Sequence, residues 1–199
     1  MGSKERITRK KQEVHASILE TALEILHSEG MEAISMRKIA DQIEYTAPII
    51  YCHFKNKEAL LLALLAHGYQ QLNKVIKGAS NTSATALERL ELIMNCYIDF
   101  ATENRELYIL MFRVGIADPK AVIELPEATR FMEVLRKAIA DYCKELGGDK
   151  NTDSDQRYFF LISLAHGMVS VNYVSNQFNS EGLKLSFRKQ LKGIFHDLA

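Results

Sequence analysis

Arg37, Lys38, Tyr45, Thr46 and Tyr51 fall within one short interval of a 199-residue chain. Guanidinium, ammonium, phenol and hydroxyl groups are the donors that meet phosphate oxygens and base edges. Upstream, Lys4, Arg6, Arg9, Lys10 and Lys11 stand against a single acid, Glu5. A basic arm of this kind suits phosphate contact, although many solvated N-termini share it and the formal net charge of the whole chain is zero. Bond-making chemistry has no comparable support. The sequence contains no P-loop, dinucleotide fingerprint, HExxH helix or nucleophile elbow. Its six histidines show no metal-ligand spacing with each other or with the cysteines. The expectation is a protein that is not an enzyme and holds no metal and no cofactor.

Cys52, Cys96 and Cys143 are odd in number, far apart and part of no CxxC pair. That pattern argues for buried, reduced thiols in a cytoplasmic protein, and against a disulfide or zinc framework. The longest purely apolar run, 59–66, is too short to span a bilayer. The N-terminus reads as neither a secretory leader nor a myristoylation signal, so no membrane partner is expected.

Groups that act together need rigid supports, and helical periodicity dominates the chain, with no convincing alternating strand pattern. Val14, Ile18, Ala22, Ile25 and Leu26 form one stripe, closed by Gly30. Ser35 caps a short second helix whose Met36, Ile39, Ala40 and Ile43 share a face. Thr46 caps a third, with Pro48 in its first turn, where a missing N–H costs nothing. Lys57 begins a long fourth helix carrying Leu61, Leu64, Leu65, Leu72 and Ile76, ended by Gly78. The small, polar stretch 78–83 is the best candidate boundary. Thr85 and Glu88 then read as a capping box for a fifth helix to about Thr102. A short helix spans 106–112, and a loop holds Asp118-Pro119 and Pro126. Helices at 127–146, 156–177 and 183–197 complete an all-α fold of about nine helices, with loop at 149–155.

Two short helices joined by a tight turn, behind a longer one, have the geometry of a helix-turn-helix, whose second helix enters the major groove. It requires a small residue where the helices cross, apolar residues toward the longer helix and polar ones outward. Ala40 meets the first demand, Ile39, Ile43, Ile50 and Phe54 the second, and Arg37, Lys38, Tyr45, Thr46 and Tyr51 the third. Periodicity alone also fits three core helices of any all-α domain.

Ile18-Leu19, Ala22-Leu23, Gly30, Ser35-Met36-Arg37, Ile39-Ala40, Thr46, Ile50-Tyr51, His53-Phe54, Lys57 and Leu60 resemble the N-terminal signature of the tetracycline-repressor (TetR) family. The resemblance implies a homodimer with a DNA-binding domain at residues 1–56 and a ligand-binding and dimerisation domain at 57–199. It implies a repressor of double-stranded operator DNA that a small-molecule inducer releases. An activator of the same fold, or a ligand-binding protein without DNA function, are the alternatives.

By position, Arg37 matches a residue that reaches a base edge, and its guanidinium suits the paired acceptors of guanine. Tyr45, Thr46, Ala47 and Ile49 match the start of the recognition helix, and Tyr51 and His53 match phosphate contacts. Lys57 matches a helix N-terminus where its charge and free N–H groups favour phosphate. Ser35 and Lys55 are further candidates for the same task. The chain departs from the family at Glu44, where a turn glycine is usual, and at Pro48-Ile49. Ala47 and Ile49 together suggest methyl contacts with thymine.

Residues 97–101, 106–108, 111–112 and Ala165-His166-Gly167 look like the WHG type of TetR C-terminal domain, with Ile162 where a tryptophan is expected. The penultimate helix is apolar all round, so burial on several sides is expected. Its Ser163, Gly167, Ser170 and Val174, with Phe187, Leu191, Ile194 and Phe195 of the last helix, are the expected four-helix dimer interface. Met94, Tyr97, Tyr108, Met111, Phe112, Phe131 and His166 suit a pocket for a hydrophobic or aromatic inducer, and equally suit a plain core.

Overall fold

The structure is a computed structural model that describes residues 3–79, 85–113, 115, 118–148 and 154–195. The expected polar boundary therefore lies mostly outside the described residues, as do loop residues 149–153 and the end of the last helix. Among the described residues there are ten α-helices and a 3₁₀ turn at Met31–Ala33. The helices are α1 (Ser3–Glu29), α2 (Met36–Gln42), α3 (Ala47–His53), α4 (Lys57–Ala79) and α5 (Ala86–Glu103). After them come α6 (Arg105–Phe112), α7 (Pro119–Ile123), α8 (Pro126–Glu145), α9 (Ser154–Ser175) and α10 (Ser180–Ile194).

Two differences from the sequence reading have local causes. The basic arm is not a separate tail but forms the opening turns of α1, because Lys, Arg, Gln and Glu are good helix formers. An Arg9–Glu13 pair at 3.4 Å adds i,i+4 support. The Asp118-Pro119 loop contains a helix, α7, with the Asp118 carboxylate accepting from the Lys120 N–H at 3.0 Å and Pro119 in the first turn.

The chain divides into two compact units, residues 1–68 with 106–125, and residues 69–105 with 126–199. In the first, the α1 stripe Val14, Ile18, Ala22, Ile25 and Leu26 is buried, together with Ile34, Met36, Ile39, Ala40, Ile50 and Phe54. Ser35 caps α2 as expected, its hydroxyl accepting from the Lys38 N–H at 3.2 Å. In the same unit α4 meets α6 at Gly68. A Cβ there would stand 2.5 Å from Met111 Sδ and 3.3 Å from Leu107 Cγ.

Glu44 occupies the left-handed region at φ 58°. The α2 terminus is a Schellman turn in which the Tyr45 N–H reaches the Ala40 carbonyl at 2.9 Å and the Glu44 N–H that of Asp41 at 3.4 Å. A residue with a Cβ pays roughly 1 kcal/mol or more for this conformation, part of which glycine gives back as unfolded-state entropy. Glu44→Gly is therefore expected to stabilise the protein by about 0.5–1 kcal/mol, read as a rise in urea midpoint at unchanged slope.

In the second unit the expected capping box is present, with Thr85 Oγ1 accepting from the Glu88 N–H at 3.1 Å and Glu88 Oε2 from the Thr85 N–H at 3.0 Å. Three polar ties fasten α9 and α10. The Tyr173 hydroxyl donates to the Ala101 carbonyl at 2.6 Å, and the Lys184 ammonium meets Asp99 at 2.9 Å. The buried Arg157 guanidinium donates to the Ile194 carbonyl and lies 5.2 Å over the Phe195 ring.

Instead of being buried on several sides, α9 is buried on one within the chain. Arg157, Leu161, Ala165 and Val169 face the core, while Phe160, Val171 and Val174 are exposed, Val174 by 90%. By length and hydropathy alone α9 would also pass for a membrane-crossing helix. Its inward face and the Arg157 tie instead pack it as one wall of a helical unit.

Candidate nucleic-acid interface

Ile50, fully buried, is the anchor of α3, and the residues beside it therefore turn outward. Tyr51 is 53% exposed and Ile49 37% exposed, and Ala47 is half-buried. Thr46 stands at the N-cap with its side chain exposed and making no capping bond, so its hydroxyl is available to a ligand. Tyr45 is half-buried beside the α2 turn. Arg37 and Ser35 are exposed at the start of α2, and Lys55 is exposed just after α3. Ser35 has its oxygen engaged by the Lys38 N–H, which leaves its hydroxyl hydrogen to donate.

Lys38 stands apart from this group. It is half-buried and ion-paired with Glu29, so its ammonium ties α2 to α1. Glu29 belongs to the last turn of α1 and shares no local pattern with Lys38, so only the tertiary fold reveals the pair. His53 is half-buried with its Nδ1 enclosed and unpaired among the described residues. His15 lies beside it, ring centroids 6.0 Å apart, and stacks on Phe54 at 4.6 Å. Burial, then the nearby His15 and Lys11 charges, hold the His53 pKa below the usual imidazole value.

Lys57 opens α4, half-buried. The residue before it, Asn56, is of a type favoured at the N-cap, a local signal for this helix start. Its Oδ1 accepts from the Ala59 N–H at 2.8 Å. The N–H groups of Lys57 and Glu58 remain directed out of the helix end, beside the Lys57 charge.

The residues expected to form an inducer pocket divide between the two units. Tyr108 and Met111 are buried in the first, where the Tyr108 and Phe112 rings are 4.7 Å apart. Met94, Tyr97 and Phe131 are buried in the second, with Phe131 stacked on Tyr97 at 6.0 Å and tilted against Tyr69 at 6.2 Å. That aromatic cluster is dry enough that burial pushes the Tyr69 phenol up to about 12. His166 is half-buried, 3.3 Å from the Ser170 hydroxyl, and burial lowers its pKa.

The expected interface residues also separate. Phe187, Leu191 and Phe195 point into the chain's own core and so are closed to a partner, while Ile194 is half-buried. Ser163 and Val174 are exposed, and Ser170 and Gly167 are half-buried. A Cβ on Gly167 would meet nothing within 4 Å, so its face of α9 is open. A groove of about 380 Å³ runs along that face, lined by Gly167, Val171 and Phe178 among others.

Residues 18–64 match the family profile described as bacterial regulatory proteins, tetR family. Residues 90–192, just over half of the chain, match the tetracyclin repressor-like C-terminal domain. The chain belongs to the TetR family.

The family is one of bacterial regulatory proteins. Over 120 residues it is 27% identical to the HTH-type transcriptional activator FasR of Mycolicibacterium smegmatis, covering 60% of this chain and 55% of FasR. Over 48 residues it is 46% identical to the class C tetracycline repressor of Escherichia coli, covering 24% of this chain and 22% of that protein. The matched stretches thus span about half of one relative and about a fifth of the other. The fold is that of the Bacillus subtilis regulator FadR, solved with stearoyl-CoA, at a TM-score of 0.73 and 18% identity over 89% of this chain and 97% of FadR.

Proposed function

We propose that this TetR-family protein is a repressor that binds a palindromic operator as a homodimer and is released by an acyl-coenzyme A thioester. The observation that carries the DNA reading is the α2–turn–α3 unit. Its inward face is closed by Ile39, Ala40 and Ile50, and its outward residues are Arg37, Thr46, Ile49 and Tyr51. The thioester reading draws on FadR, which holds stearoyl-CoA, and on the apolar, Met- and aromatic-rich interiors of both units. Dimerisation follows from α9, whose exposed apolar face needs a cover, and two copies present the same face to each other. The protein works in the cytoplasm, where operator DNA and reduced thiols are found together.

Within this reading the two DNA-contact classes separate experimentally. Lys57→Ala is expected to weaken binding to all DNA sequences alike and to flatten the log–log salt dependence by about one unit. Arg37→Ala is expected to relax preference at one base position, at a cost of roughly 1–3 kcal/mol there. Anisotropy titrations on matched and single-mismatch duplexes at several salt concentrations distinguish them.

The reading as a whole is tested by selecting bound duplexes from a random library and placing the enriched site before a reporter. Enrichment of a palindrome, reporter silencing by the protein, and relief by stearoyl-CoA are the expected results. Absence of any enriched sequence would overturn the DNA assignment. Reporter stimulation would make the protein an activator, the role named for FasR.

A further inference from the structure

The second unit contains a cleft of about 1050 Å³ where the C-terminal half of α4, the start of α5 and the outer face of α8 meet. It belongs neither to the DNA-binding helices nor to the aromatic cluster. Five of its lining residues are cations and two are acids. Of the acids, Asp141 is neutralised by Arg89 at 3.0 Å, and Glu127 stands in the first turn of α8. Lys74, Lys77, Arg130 and Lys137 are exposed and have no ion-pair partner among the described residues. The cleft therefore keeps an uncompensated positive charge.

The spacing of the cations selects the ligand. Lys74 and Lys77 are one turn apart on α4, and Arg130 and Lys137 are two turns apart on α8, about 10 Å along the axis. One compact anion cannot meet charges so far apart, whereas a molecule carrying several phosphates can. Beneath them the floor is apolar and closed, with Ile76, Ile93 and Ala138 buried. Cations over an apolar floor suit a ligand with phosphates at its edge and a flat or aliphatic body against the protein.

We infer that this cleft binds the phosphate-bearing end of a nucleotide-type amphiphile, the coenzyme A moiety of the thioester. This rests on the ligand class proposed above, but the cleft is a separate site with its own test. The α4 and α8 cations hold the phosphates, and the apolar floor takes the adenine ring or the pantetheine arm.

The test uses full-length protein, free coenzyme A as the probe, and calorimetric titration. The parent protein is expected to bind it with an affinity that falls as salt rises. The R130E/K137E variant changes only exposed, unpartnered side chains and is expected to bind roughly 30-fold more weakly. K74A/K77A, on the other helix, is expected to weaken binding by about tenfold. K144E, on α8 but outside the cleft, is expected to leave affinity within about twofold, which controls for bulk charge. Far-ultraviolet dichroism checks that each variant is folded.

Failure of free coenzyme A to bind the parent, or equal binding by all variants, overturns the inference. So does absent coenzyme A binding with DNA affinity lost in R130E/K137E, since the charge would then serve DNA. If stearoyl-CoA releases operator equally from the parent and R130E/K137E, the cleft assignment falls while the inducer reading stands. If stearoyl-CoA releases nothing but free coenzyme A still binds in the charge-dependent way, the cleft stands and the inducer reading falls.

Discussion

Replacing Val171 and Val174 with glutamate is expected to leave a 22.6 kDa monomer that binds operator at least about 100-fold more weakly than the parent. Both side chains are strongly exposed, Val171 by 67% and Val174 by 90%, so the change disturbs no packing inside the subunit. In a dimer built on α9 it would place four carboxylates in a closed apolar seam. Burying unpaired charge costs several kcal/mol per group, more than such an interface can offset. The operator effect is larger than any single contact explains, because a dimer binds its second half-site at high effective concentration and a monomer cannot. Light scattering and anisotropy on the same samples check both parts. A dimer that persists with full DNA affinity would remove α9 from the interface.

The second large effect is expected at Gly68. Alanine there gains up to about 1 kcal/mol of helix propensity and must displace the flexible Met111 thioether, so it should be close to neutral. Valine adds two methyl groups in the same space and is expected to destabilise by roughly 1–3 kcal/mol, a fall in melting temperature of about 2–12 °C at this chain length. Met111→Ala in the same chain vacates the space and should recover much of the loss, as a non-additive double-mutant cycle. An additive cycle would mean that the strain lies elsewhere.

Elements governed by local pattern were legible before the fold was known. The Val14 to Leu26 stripe, the Ser35 cap and the Thr85–Glu88 box each depend on residues within a few positions of one another. The anomaly at Glu44 was visible as a missing glycine, and it became a left-handed residue in a Schellman turn. The opening turns of α1 were not legible, because they have helix-forming residues but no apolar stripe to mark a face. The exposed side of α9 was hidden for the opposite reason. With apolar residues all round, its periodicity has no direction, and only the packing of Leu161, Ala165 and Val169 shows which side is inward. The same limit led Phe187, Leu191 and Phe195 to be read as an outer face, since an amphipathic stripe does not say whether it meets its own subunit or another. Lys38–Glu29 and the α4–α5–α8 cleft join residues far apart in the chain, which no local pattern can join.

The three cysteines, all expected to be buried thiols, differ sharply in access, and Cys52 departs from that expectation. Cys96 and Cys143 are buried, and burial, more than the neighbouring Asp99, raises the Cys96 thiol pKa, so it resists alkylation. Cys52 is exposed, on α3, next to Tyr51. A thiol-directed fluorophore or spin label would therefore attach at one place without mutagenesis, on the helix assigned to the groove. The reporter stands on the helix proposed to bind, so occupancy of DNA can be followed as protection of a single sulfur.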